Sequence, residues 1–304
     1  MFRRGLLFWM GCGLLALFVA AAILAPGLAP HPPLLPTGLP LAPPARAHLL
    51  GTNDLGQDEL SLLLYGARST LIVAGCVTAL STVVSWLIGL SAGFFKPAEG
   101  PLMAITDLAL ALPSIPLYLL VLTLLGPSRR NVILVLAFLS WPSFARIVRG
   151  IVLETRVAPY VEASRAQGAT GLHIVRWHLL PATLDVLPAK LILTVRFAVF
   201  AEATFAFLGL GGSSTGWGPM LNWAFSDPLL FARPQWPWLV LPPTLAIVGL
   251  VVTTAWVSLG LRPNEPGRFY AESSPKRSER QGAVEPVENS GRLAAPESAS
   301  VLTQ

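Results

Sequence analysis

Four histidines, two cysteines and a few acids set inside apolar stretches are the side chains of this sequence whose types could do chemistry. The imidazoles are His31, His48, His173 and His178. A helical zinc site of the peptidase kind needs two histidines four apart with a glutamate between them, and no pair has that spacing. His173 and His178 stand five apart, a poor match to one helix face. Cys12 and Cys76 each fall in an apolar run, where a thiol packs as a small apolar group rather than bridging or ligating. The expectation is therefore no metal site and no cofactor bound by this chain. Lys96, Lys190 and Lys276 follow Phe95, Ala189 and Pro275, so none completes the Gly-Lys-Ser/Thr cradle of a phosphate loop. The chain is expected not to hydrolyse ATP itself, and no catalytic residue is assigned. A serine–histidine pair for intramembrane proteolysis is also missing, because neither His173 nor His178 lies deep in an apolar run.

What remains is charge in costly places. Composition is 53% hydrophobic and 12% charged, where a soluble domain has about a quarter of its residues charged. The runs 5–25, 69–95 and 237–261 contain no Asp, Glu, Lys, Arg or His, and each is long enough to cross a hydrocarbon core of about 30 Å. Runs 102–126, 131–153 and 184–209 carry a few charges each and complete six expected transmembrane helices. Helices are the default because lipid offers no partner to an open backbone group. Glu202 and Asp107 then lie within spans, and an intramembrane acid is a functional candidate by default. Glu202 has three roles open to it: pairing with another helix, touching a partner subunit, or lining a pathway. Asp107, nearer the span's end, is expected to reach Lys190 or interfacial water. Pro113 and Pro116 free backbone carbonyls and kink their span, either for a gated pathway or for packing alone.

The net charge is +5. With the N-terminus inside, most Lys and Arg residues fall on the cytoplasmic side, which favours both termini being cytoplasmic. They are spread over membrane flanks rather than gathered on one face, so nucleic acid is not an expected partner. The domain reading is a first transmembrane anchor over 1–25, an extracytoplasmic loop and helix over 26–68, a transmembrane domain over 69–262, and a disordered cytoplasmic tail over 263–304. The first span is longer than a usual signal core and is expected to be retained. The tail lacks enough apolar surface to offset chain ordering. Trp223, Trp236 and Trp238 suit a membrane-interface belt.

One polar segment stands out from the loops between the spans. Residues 160–181 read YVEASRAQGATGLHIVRWHLLP. Helix formers alternate with Ala163, Ala166, Gly168 and Ala169, small residues that let another surface approach the backbone. Glu162, Arg165, Arg176 and His178 can anchor such a contact. Gly168 is expected to break the segment into two halves, and Pro181 to end it before the next span. This is a docking element for a cytoplasmic partner, with a loop lying on lipid as the alternative.

The motifs are specific enough to name a family that the chain resembles. Glu162-Ala163-Ser164, then Gly168, then Leu180-Pro181 is similar to the EAA signature of inner-membrane permeases of binding-protein-dependent ABC importers. Ser164 stands where the second alanine usually stands. The ending His178-Leu179-Leu180-Pro181 resembles that of peptide permeases, with Trp177 and Ala182 in place of Arg and Asn. His48-Leu49-Leu50-Gly51-Thr52 with Leu55-Gly56 and Asp58 resembles a Gly-Thr-Asp-x-x-Gly-Arg-Asp stretch of the same subfamily. Here Asn53-Asp54 replaces Asp-x, and Gln57 replaces Arg. Tyr65 to Leu71 continues the match, and Glu202-Ala203 with Phe207 to Gly211 and Trp217-Gly218 resembles the exit of the fifth span. The likeness covers roughly residues 48 to 262 and is nearest to the C-type subunit of dipeptide, oligopeptide and nickel permeases.

The resemblance implies an all-α membrane protein with six transmembrane helices and a cytoplasmic EAA coupling helix, the type I ABC importer fold. It implies a second permease subunit, two ATP-binding subunits that use ATP and Mg, and an extracytoplasmic solute-binding protein, all in or at the cytoplasmic (inner) membrane. Coupling would fall to Glu162, Ala163, Ser164, Gly168, His178, Leu180 and Pro181. Asp107, Pro113, Pro116 and Glu202 are candidates for pathway or interface. The function implied is translocation of di- and oligopeptides. The alternatives are an ion-coupled secondary transporter, which should show inverted repeats and paired inward ionisable groups, or the same machine carrying nickel or another small solute.

Overall fold

The structure, a computed structural model, describes residues 2–260, with side chains from residue 5 onward. The segment 263–304, expected to be an unfolded tail, lies outside the described residues.

Helix α1 (Phe2–Leu28) is apolar on every side from Gly5 onward and leads into a loop over residues 29–58 that holds turns and bends but no helix. Helix α2 (Glu59–Phe94) is a single 36-residue rod, about 54 Å long at the standard rise. It fuses the short outer helix and the second span expected from the sequence. Asp58 starts it: its carboxylate accepts from the Ser61 backbone N–H at 2.8 Å, satisfying a donor that has no partner within the helix.

Helices α3 (Lys96–Ala111) and α4 (Ser114–Leu125) form one broken unit, bent by 90°. Leu112 is extended because Pro113 follows it, and Pro113 takes the cap position of α4. Pro116 sits in the first turn, where its missing N–H removes no helical bond. The expected kink is thus a full corner. Helices α5 (Arg129–Ser140) and α6 (Pro142–Thr155) run nearly as one. Next come α7 (Pro159–Ala166), α8 (Gly171–Ile174), a π-helical segment Val175–Leu179, and α9 (Leu180–Leu184). Helices α10 (Leu187–Phe207), α11 (Trp217–Phe225) and α12 (Trp236–Gly260) complete the described chain.

Among the described residues, four helices are long and apolar enough to cross a membrane: Gly5–Leu28, Glu59–Phe94, Arg129–Thr155 and Trp236–Gly260. The bent α3–α4 pair makes a fifth if counted as one span. Helix α10 has 21 residues but carries Lys190, Arg196 and Glu202, and so falls outside that set.

Helix α2 is the axis of the bundle and packs against α1, α5, α6 and α10. Small residues make this possible. A Cβ at Gly89 would lie 2.7 Å from Val148, and one at Gly93 would lie 2.6 Å from Val152, so α6 rests directly on the α2 backbone. The main core gathers Leu62, Val73, Val77, Leu122, Leu136, Val199, Phe205 and Leu250. Trp217 closes its upper end, donating from its indole to the Leu63 carbonyl at 3.0 Å. Cys76 faces outward and Cys12 is half-buried; both are free, so Cys76 does not pack inside this chain as expected.

Candidate functional site

The segment 159–184 folds as a two-limbed elbow. Its first limb, α7, begins at Pro159, which suits a first helical turn. It ends in a Schellman turn: the Ala169 N–H donates to the Ser164 carbonyl at 3.1 Å and the Gly168 N–H to the Arg165 carbonyl at 2.9 Å. Gly168 sits at φ +88°, the left-handed region where a side chain is strained, and space around it is open. The break expected at Gly168 is there. Thr170 then caps the second limb by accepting from the His173 N–H at 3.3 Å.

The second limb differs from expectation. Pro181 does not end the helix; the limb runs through it to Leu184. A proline ring clashes with the carbonyl four residues earlier, here Trp177. The chain widens into the π segment Val175–Leu179 just before the proline, and the Leu180 N–H reaches back to Val175. The wider turn absorbs the clash.

Three aliphatic side chains pin the elbow. Val161, Ile174 and Leu179 are buried in a separate core with Trp86, Val148 and Val152, and Leu180 packs against its edge. The Trp86 indole donates to Thr183 Oγ1 at 2.9 Å, and Arg156 donates to the Gly93 carbonyl at 2.8 Å. Gly171 brings the second limb against the Phe94 ring. Both limbs thereby ride on the far end of α2 and on α6. Ser164 and His178 join the limbs, Oγ to Nε2 at 3.3 Å, with the Tyr160 ring 5.7 Å from the imidazole. The free face carries Glu162, Ala163, Arg165, Arg176 and Pro181, together with Leu172 (78% exposed) and Trp177 (62% exposed).

The other candidates lie elsewhere. Asp107 pairs with Arg146, not with Lys190, because α3 packs on α6 rather than on the start of α10. Lys190 is fully buried. Its Nζ donates to Ser81 Oγ at 3.2 Å and to the Ser140 carbonyl at 3.4 Å, and lies 4.5 Å over the Phe144 ring. Glu202 is buried and accepts from Thr70 Oγ1 at 3.0 Å, so α10 is tied to α2. Arg129 donates to Ser69 and Ser213 beside it. Next to the Pro113 corner is a cavity of about 290 Å³ lined by Ser114, Tyr118, Ser140, Phe144, Thr194 and Phe197. The cavity takes its lining from Leu112 and Ser114 on either side of Pro113 but not from Pro113 or Pro116 themselves, and Glu202 and Asp107 belong to separate contacts.

The sequence reading missed two groupings. Lys190 was expected as one partner of Asp107, not of Ser81 and Ser140. His31, His48 and Asp58 meet in the loop ahead of α2, with their ligand atoms all within 4.8 Å of one another. No helical spacing marks such a grouping, since loop closure alone makes it.

The described residues form a helical bundle with four or five helices long and apolar enough to cross a membrane, the build of a multi-span membrane protein. Residues 69–263 match the model of the family described as binding-protein-dependent transport system inner membrane component. The chain belongs to that family, whose members are transport components rather than enzymes. It is 33% identical, over 84% of its length and 86% of the relative's, to a protein of Brucella suis biovar 1 (strain 1330) named as a peptide transport system permease. A second Brucella suis protein, named as a peptide permease, is 36% identical over 72% of each chain. A protein of Escherichia coli (strain K12) named as a D,D-dipeptide transport system permease is 32% identical over 68% of this chain and 71% of that one.

Proposed function

We propose that this chain is one of two permease subunits of an ATP-driven importer of di- and oligopeptides in the inner membrane. The peptide substrate follows from the names of the three relatives, all peptide or dipeptide permeases. In this reading α10 is the sixth crossing. Its charges are tolerated because Lys190 and Glu202 are held by Ser81 and Thr70 of α2. Both termini lie in the cytoplasm, and a solute-binding protein delivers substrate to the opposite face.

The exposed elbow is the observation that carries the mechanism. Leu172 and Trp177 present apolar surface beside Glu162, Arg165 and Arg176, and an exposed apolar patch rimmed by charge marks an interaction site. The elbow inserts into a groove on an ATP-binding subunit, with Glu162, Ala163 and Ser164 on the first limb and His178, Leu180 and Pro181 on the second. Because both limbs are pinned to α2 and α6, movement of the ATPase is transmitted along those helices to the bundle axis. The cavity beside the Pro113–Pro116 corner is this subunit's share of the pathway, completed by the second permease.

Reconstitution with the partner permease, both ATPases and the binding protein in liposomes tests the reading. Peptide uptake is expected to require ATP and to survive collapse of the proton gradient. Gly168→Trp is expected to leave the chain inserted but to prevent co-purification with the ATPases. Uptake driven by a pH gradient alone would overturn the proposal.

A further inference from the structure

Two imidazoles converge on one carboxylate oxygen in the loop ahead of α2. His48 Nδ1 lies 2.9 Å from Asp58 Oδ1, and His31 Nδ1 lies 3.8 Å from the same atom. The two rings are 4.7 Å apart at their centroids. Asp58 is fully buried, His48 nearly so, and the His31 side chain is 29% exposed.

The carboxylate is fixed from behind. Its Oδ2 accepts from the Ser61 N–H at 2.8 Å and from Ser61 Oγ at 2.7 Å, which leaves Oδ1 to face the imidazoles. The same serine holds the loop, since the His31 backbone N–H donates to Ser61 Oγ at 3.2 Å. His48 is held by close approach: a Cβ at Gly38 would lie 2.6 Å from its Nε2. Three donors from distant points in the loop are thus positioned by groups that do not themselves occupy the centre.

Hydrogen bonding accounts for only part of this. A proton on His48 Nδ1 satisfies that ring and Asp58 Oδ1. It leaves His31 Nδ1 buried with no partner, a state that costs free energy in a folded protein. A metal ion satisfies all three at once. Donors around a tetrahedral zinc, bonded at about 2.0–2.2 Å, stand about 3.3 Å apart. The two imidazole-to-carboxylate separations, 2.9 and 3.8 Å, bracket that value, and all three ligand atoms lie within 4.8 Å of one another. Two imidazoles and one carboxylate suit a divalent cation of intermediate softness and leave a fourth position for water. Ser61 is the outer partner that orients the ligating carboxylate, as such sites require.

We propose that His31, His48 and Asp58 bind a divalent transition-metal cation of the zinc type, which clamps the loop to the start of α2. The site lies at the end of α2 opposite the elbow and is independent of the transport reading.

The test uses the full chain, purified through an affinity tag without histidine, treated with chelator and placed in lipid nanodiscs. Calorimetric titration with Zn²⁺ is expected to give one ion per chain. Co²⁺ is expected to give the visible absorption of a tetrahedral nitrogen–oxygen site. His31→Ala and His48→Ala should each weaken binding at least about tenfold, while the His173→Ala/His178→Ala double variant binds like the parent. Zn²⁺ should raise the unfolding midpoint of the parent but not of His31→Ala. His31→Ala is the decisive variant, since it leaves the Asp58–His48 and Asp58–Ser61 contacts in place. Unchanged stoichiometry and affinity in His31→Ala would overturn the proposal. So would a parent chain that shows no saturable Zn²⁺ binding and no Zn²⁺-dependent stability.

Discussion

The loop over 29–58 and the elbow over 159–184 sit at opposite ends of α2 and satisfy their groups in opposite ways. The loop buries polar side chains and answers them internally. Thr52 Oγ1 donates to the Leu39 carbonyl at 2.6 Å and accepts from the Ala42 N–H at 2.8 Å. Asn53 Oδ1 accepts from the Leu55 and Gln57 N–H groups, and Gln57 Nε2 donates to the Leu34 carbonyl. The elbow buries only three aliphatic side chains deeply and leaves Leu172 and Trp177 in the open. Apart from His31 Nδ1, the loop's buried polar side chains are answered within it, and such a region is largely complete as folded. An exposed apolar patch rimmed by charge suits an interaction site, in keeping with the docking role proposed for the elbow. Substitutions should therefore act on stability in the loop and on association in the elbow.

The largest expected effect is Asp58→Ala. It removes the α2 cap and strands the buried Ser61 hydroxyl and His48 ring, at a cost of about 2–4 kcal/mol. Thermal unfolding in metal-free nanodiscs measures it, and a loss below about 0.5 kcal/mol would erase the contrast between the regions. Leu172→Glu comes next and should show the reverse pattern. Its unfolding midpoint should match the parent, with stability within about 0.5 kcal/mol. Co-purification with the ATPases should fall at least about tenfold, as for an interface hot spot. Equal ATPase recovery would show that the elbow's apolar face is not the contact.

The smallest effect sharpens the account of the loop. The two positions where the chain departs from the motif it resembles, Asn53 and Gln57, touch each other: Asn53 Nδ2 donates to Gln57 Oε1 at 2.8 Å. A neutral amide pair stands where the motif would place opposite charges. Gln57→Arg alone should cost about 1–2 kcal/mol, because it places an unpaired charge in a buried position. Adding Asn53→Asp should recover most of that loss, with a coupling of at least about 0.5 kcal/mol in a double-mutant cycle. Additive losses would mean that the contact carries no energy.

Much of the bundle was legible in the sequence. The runs 5–25 and 237–261 are uniformly apolar, and α1 and α12 follow them closely. Gly168 was readable as a break because only glycine takes its backbone angle freely. Pro181 was misread. Proline ends a regular helix, but one π turn before it removes the clash, and that adjustment depends on Leu179 being anchored in the core. The sequence marked Glu202 as costly but could not name Thr70, 132 positions away, as its partner. Of the two partners expected for Asp107, Lys190 and interfacial water, the first is overturned for the same reason: pairing depends on which helix lies alongside.

The sequence by itself determined that this chain is a set of apolar helices interrupted by one small-residue elbow, because hydropathy, proline and glycine act locally along the chain. Only the tertiary structure decided where the remaining charges and imidazoles went. Lys190 found Ser81, Glu202 found Thr70, and His31 and His48 found Asp58. Each of those meetings depends on chain segments brought together by packing on α2 or by closure of the loop ahead of it, and no local rule of spacing encodes it.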